Sequence, residues 1–206
     1  MIITVDGLDG AGKSTLAKNL AKSLDFKYIE KPLYKLLGVE NPTGKLYDDI
    51  VKLQDIIYNK TNSDLLKSWF TGMSLLYLKE EMGNENLIID RGLLSAYVFN
   101  GNNKSLPVFD FLLELGIWFD VGIFLTVSQN ERISRMSKRK DSDDDVHNDK
   151  IINLNYKSVQ EFLKLHPELP VIIINTDNKT PDDILKEALF KLKEIKKDLK
   201  VHKKTR

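Results

Sequence analysis

The chain has no cysteine. Disulfides, thiolate metal centres and thiol nucleophiles are therefore excluded. Histidine is nearly as scarce, limited to His147, His166 and His202, so a zinc site built from the usual nitrogen and sulfur donors lacks ligands. Charge of one sign is also missing. Lys and Arg number 31 against 30 Asp and Glu, and a net charge of +1 makes no global field to gather nucleic acid. No apolar run approaches the roughly 20 residues that a membrane-spanning helix needs. The N-terminal stretch lacks the basic, apolar, small-residue order of a secretory signal. These absences lead to the expectation of a soluble cytoplasmic protein, with neither nucleic acid nor membrane as partner. What is there is globular: 206 residues, 42% hydrophobic and 30% charged. Without repeats, linkers or a break in composition, one domain over 1–206 is expected, with a loose basic tail at about 199–206.

The stretch that organises the rest comes first. Met1 to Asp6 is a short apolar run rich in β-branched residues, and Gly7-Leu8-Asp9-Gly10-Ala11-Gly12-Lys13-Ser14 follows at once. This G-x-x-x-x-G-K-S spacing, strand before and helix after, is a phosphate-binding loop. Glycines let successive backbone N–H groups turn inward as an anion nest. The helix behind them adds its positive dipole end. Lys13 is expected on the β- and γ-phosphates and the Ser14 hydroxyl on Mg²⁺. Gly7, Asp9, Gly10, Ala11, Gly12, Lys13, Ser14 and Thr15 are the expected contacts to ATP.

Strands and helices then alternate. Phe26 to Glu30, Leu87 to Asp90, Val121 to Val127 and Val171 to Ile174 read as further strands. Helical patterns occupy Leu46 to Tyr58, a segment starting at Ser63-Asp64 and ended by Gly83-Asn84, Leu106 to Phe119, Asn130 to Lys140 and Lys150 to His166. A last helix starts at Thr180-Pro181-Asp182-Asp183, with a capping Thr and Pro in the first turn, and runs to about Leu199. Continuous apolar strands between helices predict a parallel sheet covered on both faces. Ligands of such sheets sit at the strand C-termini. Asp9, Glu30, Asp90, Arg91 and Asp177 all fall just past strand ends, so one shared crevice is expected.

Two constellations add chemistry. Asp90-Arg91 ends a buried strand with a carboxylate able to hold Mg²⁺ through water and a guanidinium able to fork an acceptor phosphate. The plain alternative is a structural ion pair. Arg132, Arg135 and Arg139 follow helical spacing, next to Lys138 and Lys140 and before the acidic run Asp141 to Asp145. They read as an arginine-rich lid over about 130–148, or as a solvated basic helix. Phe70 is a candidate to stack on a base, against a plain core role.

With these motifs in order, the chain resembles the thymidylate kinase family of nucleoside monophosphate kinases. The likeness rests on the phosphate loop through Thr15, Glu30 and Pro32, Asp90-Arg91 with Ser95-Ala96-Tyr97, and Glu131 to Lys140 with its R-x-x-x-R at Arg135 and Arg139. It implies an α/β P-loop kinase fold, a five-stranded parallel sheet flanked by helices, and a homodimer. It implies ATP and Mg²⁺ as cofactors and a deoxynucleoside monophosphate, dTMP foremost, as acceptor. It also implies that Asp9 reads the sugar 3′-hydroxyl, that Asp90 and Arg91 serve metal and acceptor phosphate, that Glu30 and Tyr97 touch substrate, and that the lid supplies catalytic cations from Arg135 and Arg139, with Arg132 a further contact to ATP. The chain departs from the family's pattern twice. After the second strand it reads Ile29-Glu30-Lys31-Pro32-Leu33, and Trp69 to Leu75 lacks the usual helix arginine. Deoxynucleoside kinases share the loop, a Glu-Pro element and an acidic-Arg pair. In them the glutamate activates a 5′-hydroxyl, a role open to Glu30. A nucleotide-binding regulatory module with little turnover is the third reading.

Overall fold

The computed structural model describes residues 1–30, 32, 44–82, 84–117, 120–138 and 149–203. Five strands, β1 (Ile2–Gly7), β2 (Lys27–Glu30), β3 (Leu87–Asp90), β4 (Val121–Thr126) and β5 (Val171–Asn175), form one sheet in the order β2-β3-β1-β4-β5. Every pair is parallel, as continuous apolar strands demand. The helices are α1 (Lys13–Leu24), α2 (Lys45–Asn59), α3 (Asp64–Met82), α4 (Leu93–Asn100), α5 (Leu106–Glu114), α6 (Gln129–Ser137), α7 (Asp149–Leu165) and α8 (Pro181–Lys203). None of them is long and apolar enough to cross a membrane.

Side chains alternate between the two sheet faces. Ile3, Val5, Ile88, Ile123 and Ile174 pack on one face against Leu16, Ala17 and Leu20 of α1 and Ala188 and Leu192 of α8. Phe124 belongs to the other face, where Leu93 and Leu94 of α4, Phe109 and Leu112 of α5 and Phe162 of α7 close the core. Each fully buried Leu, Ile or Phe contributes about 1.5–3 kcal/mol before entropy is counted. A smaller cluster of Ile2, Ile29, Leu78, Met82, Leu87 and Ile89 seats α3 on the sheet. The sheet thus carries β1 at its centre and the phosphate loop at the C-terminal end of β1.

Several boundaries differ from the sequence reading. The helix expected over Leu106 to Phe119 stops at Glu114. Gly116 takes a left-handed φ of 73°, and the Gly116 and Ile117 N–H groups donate back to Leu113 and Leu112. This is a Schellman ending, available there because only glycine is unstrained at that φ. Residues 118 and 119 lie outside the described residues. Residues 93–100 form α4, a helix beyond those the pattern predicts. The last helix continues to Lys203, past Leu199, because Lys, Leu and Glu are good helix formers and no Gly or Pro interrupts them. The arginine-bearing helix runs only to Ser137, with the Ser128 hydroxyl accepting from the Glu131 N–H at its start. Arg139 and the rest of the expected lid, residues 139–148, lie outside the described residues.

Candidate active site

The loop joining β1 to α1 bends through Gly10 and Gly12, with φ of 83° and 94°. Gly12 caps α1, and Ser14 and Thr15 stand exposed on its first turn. Lys13 is only 4% exposed. Its Nζ donates to Leu8 O at 2.8 Å and to Asp9 Oδ1 at 3.1 Å. Burial, then the nearby Arg91 charge, lowers its pKa from the ordinary lysine value, and Asp9 partly offsets both.

Arg91 arrives from the end of β3, and its Nη2 donates to the same Asp9 Oδ1 at 2.6 Å. Burial by itself pushes the Asp9 carboxyl up, but the charges of Lys13 and Arg91 outweigh it and hold the pKa at about 2. Two cations from separate elements therefore meet on one carboxylate oxygen at the phosphate loop.

Asp90 shares the α1 face of the sheet, since it pairs in register with Val5. It is 3% exposed. Its Oδ2 accepts from the Tyr28 hydroxyl at 3.2 Å, while its buried Oδ1 has no partner among the described residues. Burial and the Asp90 charge push the Tyr28 phenol upward, so it stays a donor. An orphaned carboxylate oxygen beside the phosphate loop suits a metal-bound water.

The expected lid arginines diverge. Arg132 lies buried on the phosphate loop, its Nε donating to Asp9 O at 2.7 Å and its Nη1 without a partner among the described residues. Arg135 turns toward β5. Its Nε meets Glu131 Oε1 at 2.9 Å, and its Nη1 and Nη2 meet Thr176 Oγ1 and O at 3.1 and 2.6 Å. Arg135 borders a small cavity with Gly12, Thr15, Lys179 and Ile184.

On the other side of the loop a cavity of about 580 Å³ opens between α2, α3 and α4. Asp9 and Arg91 form one end. Phe70, Thr71 and Ser74 of α3, Ser95, Phe99 and Asn100 of α4, and Gln54 and Tyr58 of α2 line the rest, with Pro32. The Phe70 and Tyr58 rings meet edge to face at 6.0 Å, and the Tyr58 and Thr71 hydroxyls are 2.6 Å apart. Phe70, expected at a base, is therefore on the cavity wall.

Tyr97 is not. On α4 the cavity side carries residues 92, 95, 96, 99 and 100, and helical periodicity sends Tyr97 the other way. Its ring packs 4.9 Å from Phe109 and 4.3 Å from Phe162, in the core. Glu30 is exposed, next to Asp90 in register, and does not line the cavity. Asp177 does not line this cavity either; it accepts from the Ser128 N–H at 2.8 Å at the start of α6 and borders a separate cavity with Leu8 of the phosphate loop. The sequence reading did not single out Asp6, Tyr28, Tyr58, Lys67 or Asn100. For Asp6 a signal existed, a carboxylate closing an otherwise apolar strand. Tyr28 reaches Asp90 only through the pairing of β2 with β3, and Tyr58, Lys67 and Asn100 line the large cavity only because three helices pack around it.

The thymidylate kinase family model matches residues 5–187. The chain belongs to the thymidylate kinase family. A probable thymidylate kinase of Methanococcus aeolicus is 30% identical over 204 residues, 94% of this chain and 96% of that protein. Among solved structures, the thymidylate kinase from Candida albicans aligns with a TM-score of 0.64 at 22% identity, covering 95% of this chain and 92% of that one. A deoxyadenosine kinase from M. mycoides, solved with dCMP and dCDP, also aligns with a TM-score of 0.64, at 21% identity, over 94% of this chain and 100% of that one. At such identities the structural likeness establishes the fold. Membership in the thymidylate kinase family makes the chain a nucleotide kinase, a phosphotransferase.

Proposed function

We propose that this chain transfers the γ-phosphoryl group of ATP to a deoxynucleoside monophosphate, with dTMP the leading acceptor. The observation that carries this reading is the state of Asp9. Among the described residues it is the one carboxylate lining the 580 Å³ cavity. It is gripped by both Lys13 and Arg91 and held at a pKa of about 2. A nucleoside hydroxyl needs a base to take its proton, and so acidic a group is a poor one near neutral pH. A monophosphate oxygen is already anionic and needs cations, which this end of the cavity provides.

The chemistry is then positioning and charge neutralisation. Lys13 neutralises the β- and γ-phosphates, and the loop N–H groups hold them. Arg91 exchanges Asp9 for the acceptor phosphate and aligns it for attack. Asp9, released from part of its ion pairing, is free to accept from the sugar 3′-hydroxyl. Phe70 and Phe99 enclose base and sugar, with Phe99 under the Arg91 guanidinium. Arg132, on the loop, supplies charge near the transferring group; Arg135 would join it by leaving Glu131 and Thr176, and Arg139 is the second cation expected there from the sequence. Ser14 and Asp90 would hold Mg²⁺, Asp90 through water, and the ion would draw charge off the β- and γ-phosphates.

The test compares Arg91→Ala with Glu30→Gln. The monophosphate reading expects Arg91→Ala to raise the dTMP KM and depress kcat, and Glu30→Gln to change kcat by less than about tenfold. A large kcat loss in Glu30→Gln with unchanged binding, on the order of 10²–10⁴-fold, would assign Glu30 as a base and favour a nucleoside acceptor instead.

A further inference from the structure

Asp6 is fully buried and no part of the chemistry above uses it. It follows Val5 on β1, so it lies on the sheet face opposite Asp90, beside Phe124 in register. Its Oδ1 accepts two backbone bonds, from the Gly92 N–H at 2.7 Å and the Ser95 N–H at 2.8 Å. Those are the cap and third-residue amides of α4. Gly92 itself provides no side-chain cap, so a residue far away in sequence does what a helix N-cap normally does locally. Burial pushes the Asp6 carboxyl above the ordinary range, against these hydrogen bonds.

The residue just before this cap is Arg91, held at a φ of 80°. A non-glycine residue reaches that region only when its surroundings fix it. Two anchors do so. The Arg91 N–H donates to Val5 O at 3.0 Å, and one residue later Gly92 donates to Asp6 Oδ1. Consecutive residues of β1 thus hold consecutive residues of the turn. The turn fits tightly, since a Cβ on Gly92 would come within 2.6 Å of the Thr4 side chain. The outcome is an Arg91 side chain aimed across β1 at Asp9.

We infer that Asp6 is a positioning residue for Arg91: by capping α4 from the strand it packs on, it fixes the strained Arg91-Gly92 turn and so the guanidinium that receives the acceptor phosphate. This rests on the reading of Arg91 as the acceptor-phosphate ligand. It predicts losses on the acceptor side, in the dTMP KM and in the part of kcat that Arg91 supports, with ATP binding spared, because the loop and Lys13 are held by other contacts.

The experiment measures KM for dTMP and for ATP in Asp6→Ala, Arg91→Ala and the double variant, with thermal unfolding to establish that each is folded. Asp6→Ser, which keeps a small polar group too short to bridge both amides, is measured alongside in case the alanine variant does not fold. Asp6→Asn keeps an acceptor oxygen and serves as the rescue. The expected result is a dTMP KM raised about tenfold in Asp6→Ala or Asp6→Ser with the ATP KM within about twofold, near-normal constants in Asp6→Asn, and a double variant no worse than Arg91→Ala alone. Additive losses, equal rises in both KM values, or folded Asp6→Ala and Asp6→Ser with unchanged dTMP KM would overturn the inference while Arg91→Ala still shows its own effect. An Arg91→Ala enzyme with unchanged dTMP KM overturns the underlying reading of Arg91, and the inference with it.

Discussion

Arg91 Nη2 and Lys13 Nζ converge on a single oxygen of Asp9, at 2.6 and 3.1 Å. On the function proposed above, these are the two cations that meet the phosphoryl groups, so the phosphates compete with Asp9 for at least one of them.

The first prediction follows from that pairing. Asp9 has a folded pKa of about 2, below its ordinary 3.8, so its contribution to stability is present above the ordinary value and is lost as pH falls through the folded one. Asp9→Asn should flatten the acid limb of the stability curve below about pH 4 and leave its shape near neutrality unchanged. Urea titrations of both proteins at several pH values measure this; parallel acid limbs contradict it.

Lys13→Ala should retain its far-ultraviolet circular dichroism and lose turnover by two orders of magnitude or more, as an electrostatic contact to the transferring phosphates is removed. Near-normal ATP-dependent transfer in that variant would contradict the placement of the nucleotide.

Gly92→Ala should be destabilising by about 1–3 kcal/mol, because its methyl group overlaps Thr4 in a packed interior. Denaturant unfolding reads the difference, and an unchanged midpoint would show that the turn has room to relax.

The homodimer expected from the family resemblance has a surface to use. Leu66, Trp69 and Met73 of α3 and Phe111 of α5 are all more than 40% exposed, and the Trp69 and Phe111 rings lie 5.9 Å apart. Exposed apolar side chains grouped this way are what an interface between two copies would bury. Sedimentation should give twice the 23.7 kDa chain mass, and Trp69→Glu with Met73→Glu should give the monomer. A wild-type monomer at high concentration would sink the assignment.

Much of this was legible in the sequence because it is local. The strand, glycine loop and Lys13-Ser14 stand within fourteen residues, and β3 ends visibly in Asp90-Arg91. The strand count and parallel class follow from apolar runs between helices. What was not legible depends on distance. Arg132 and Arg135 share a helix, yet one turns to the phosphate loop and the other to Thr176, a choice set by what each meets. Tyr97 sits in a run whose neighbours line the cavity, and a rotation of one residue sends it to the core instead. Asp6 shows its use only when α4, more than eighty residues later, settles its amides on the carboxylate. Gly116 shows that a helix of apolar residues can stop early when a left-handed glycine is available.

The most direct test of the account is the acceptor itself. Purified protein with ATP and Mg²⁺ is offered thymidine and dTMP in parallel, and products are separated by anion exchange. The account predicts conversion of dTMP to the diphosphate and no phosphorylation of thymidine. Formation of dTMP from thymidine, with no diphosphate from dTMP, would contradict it.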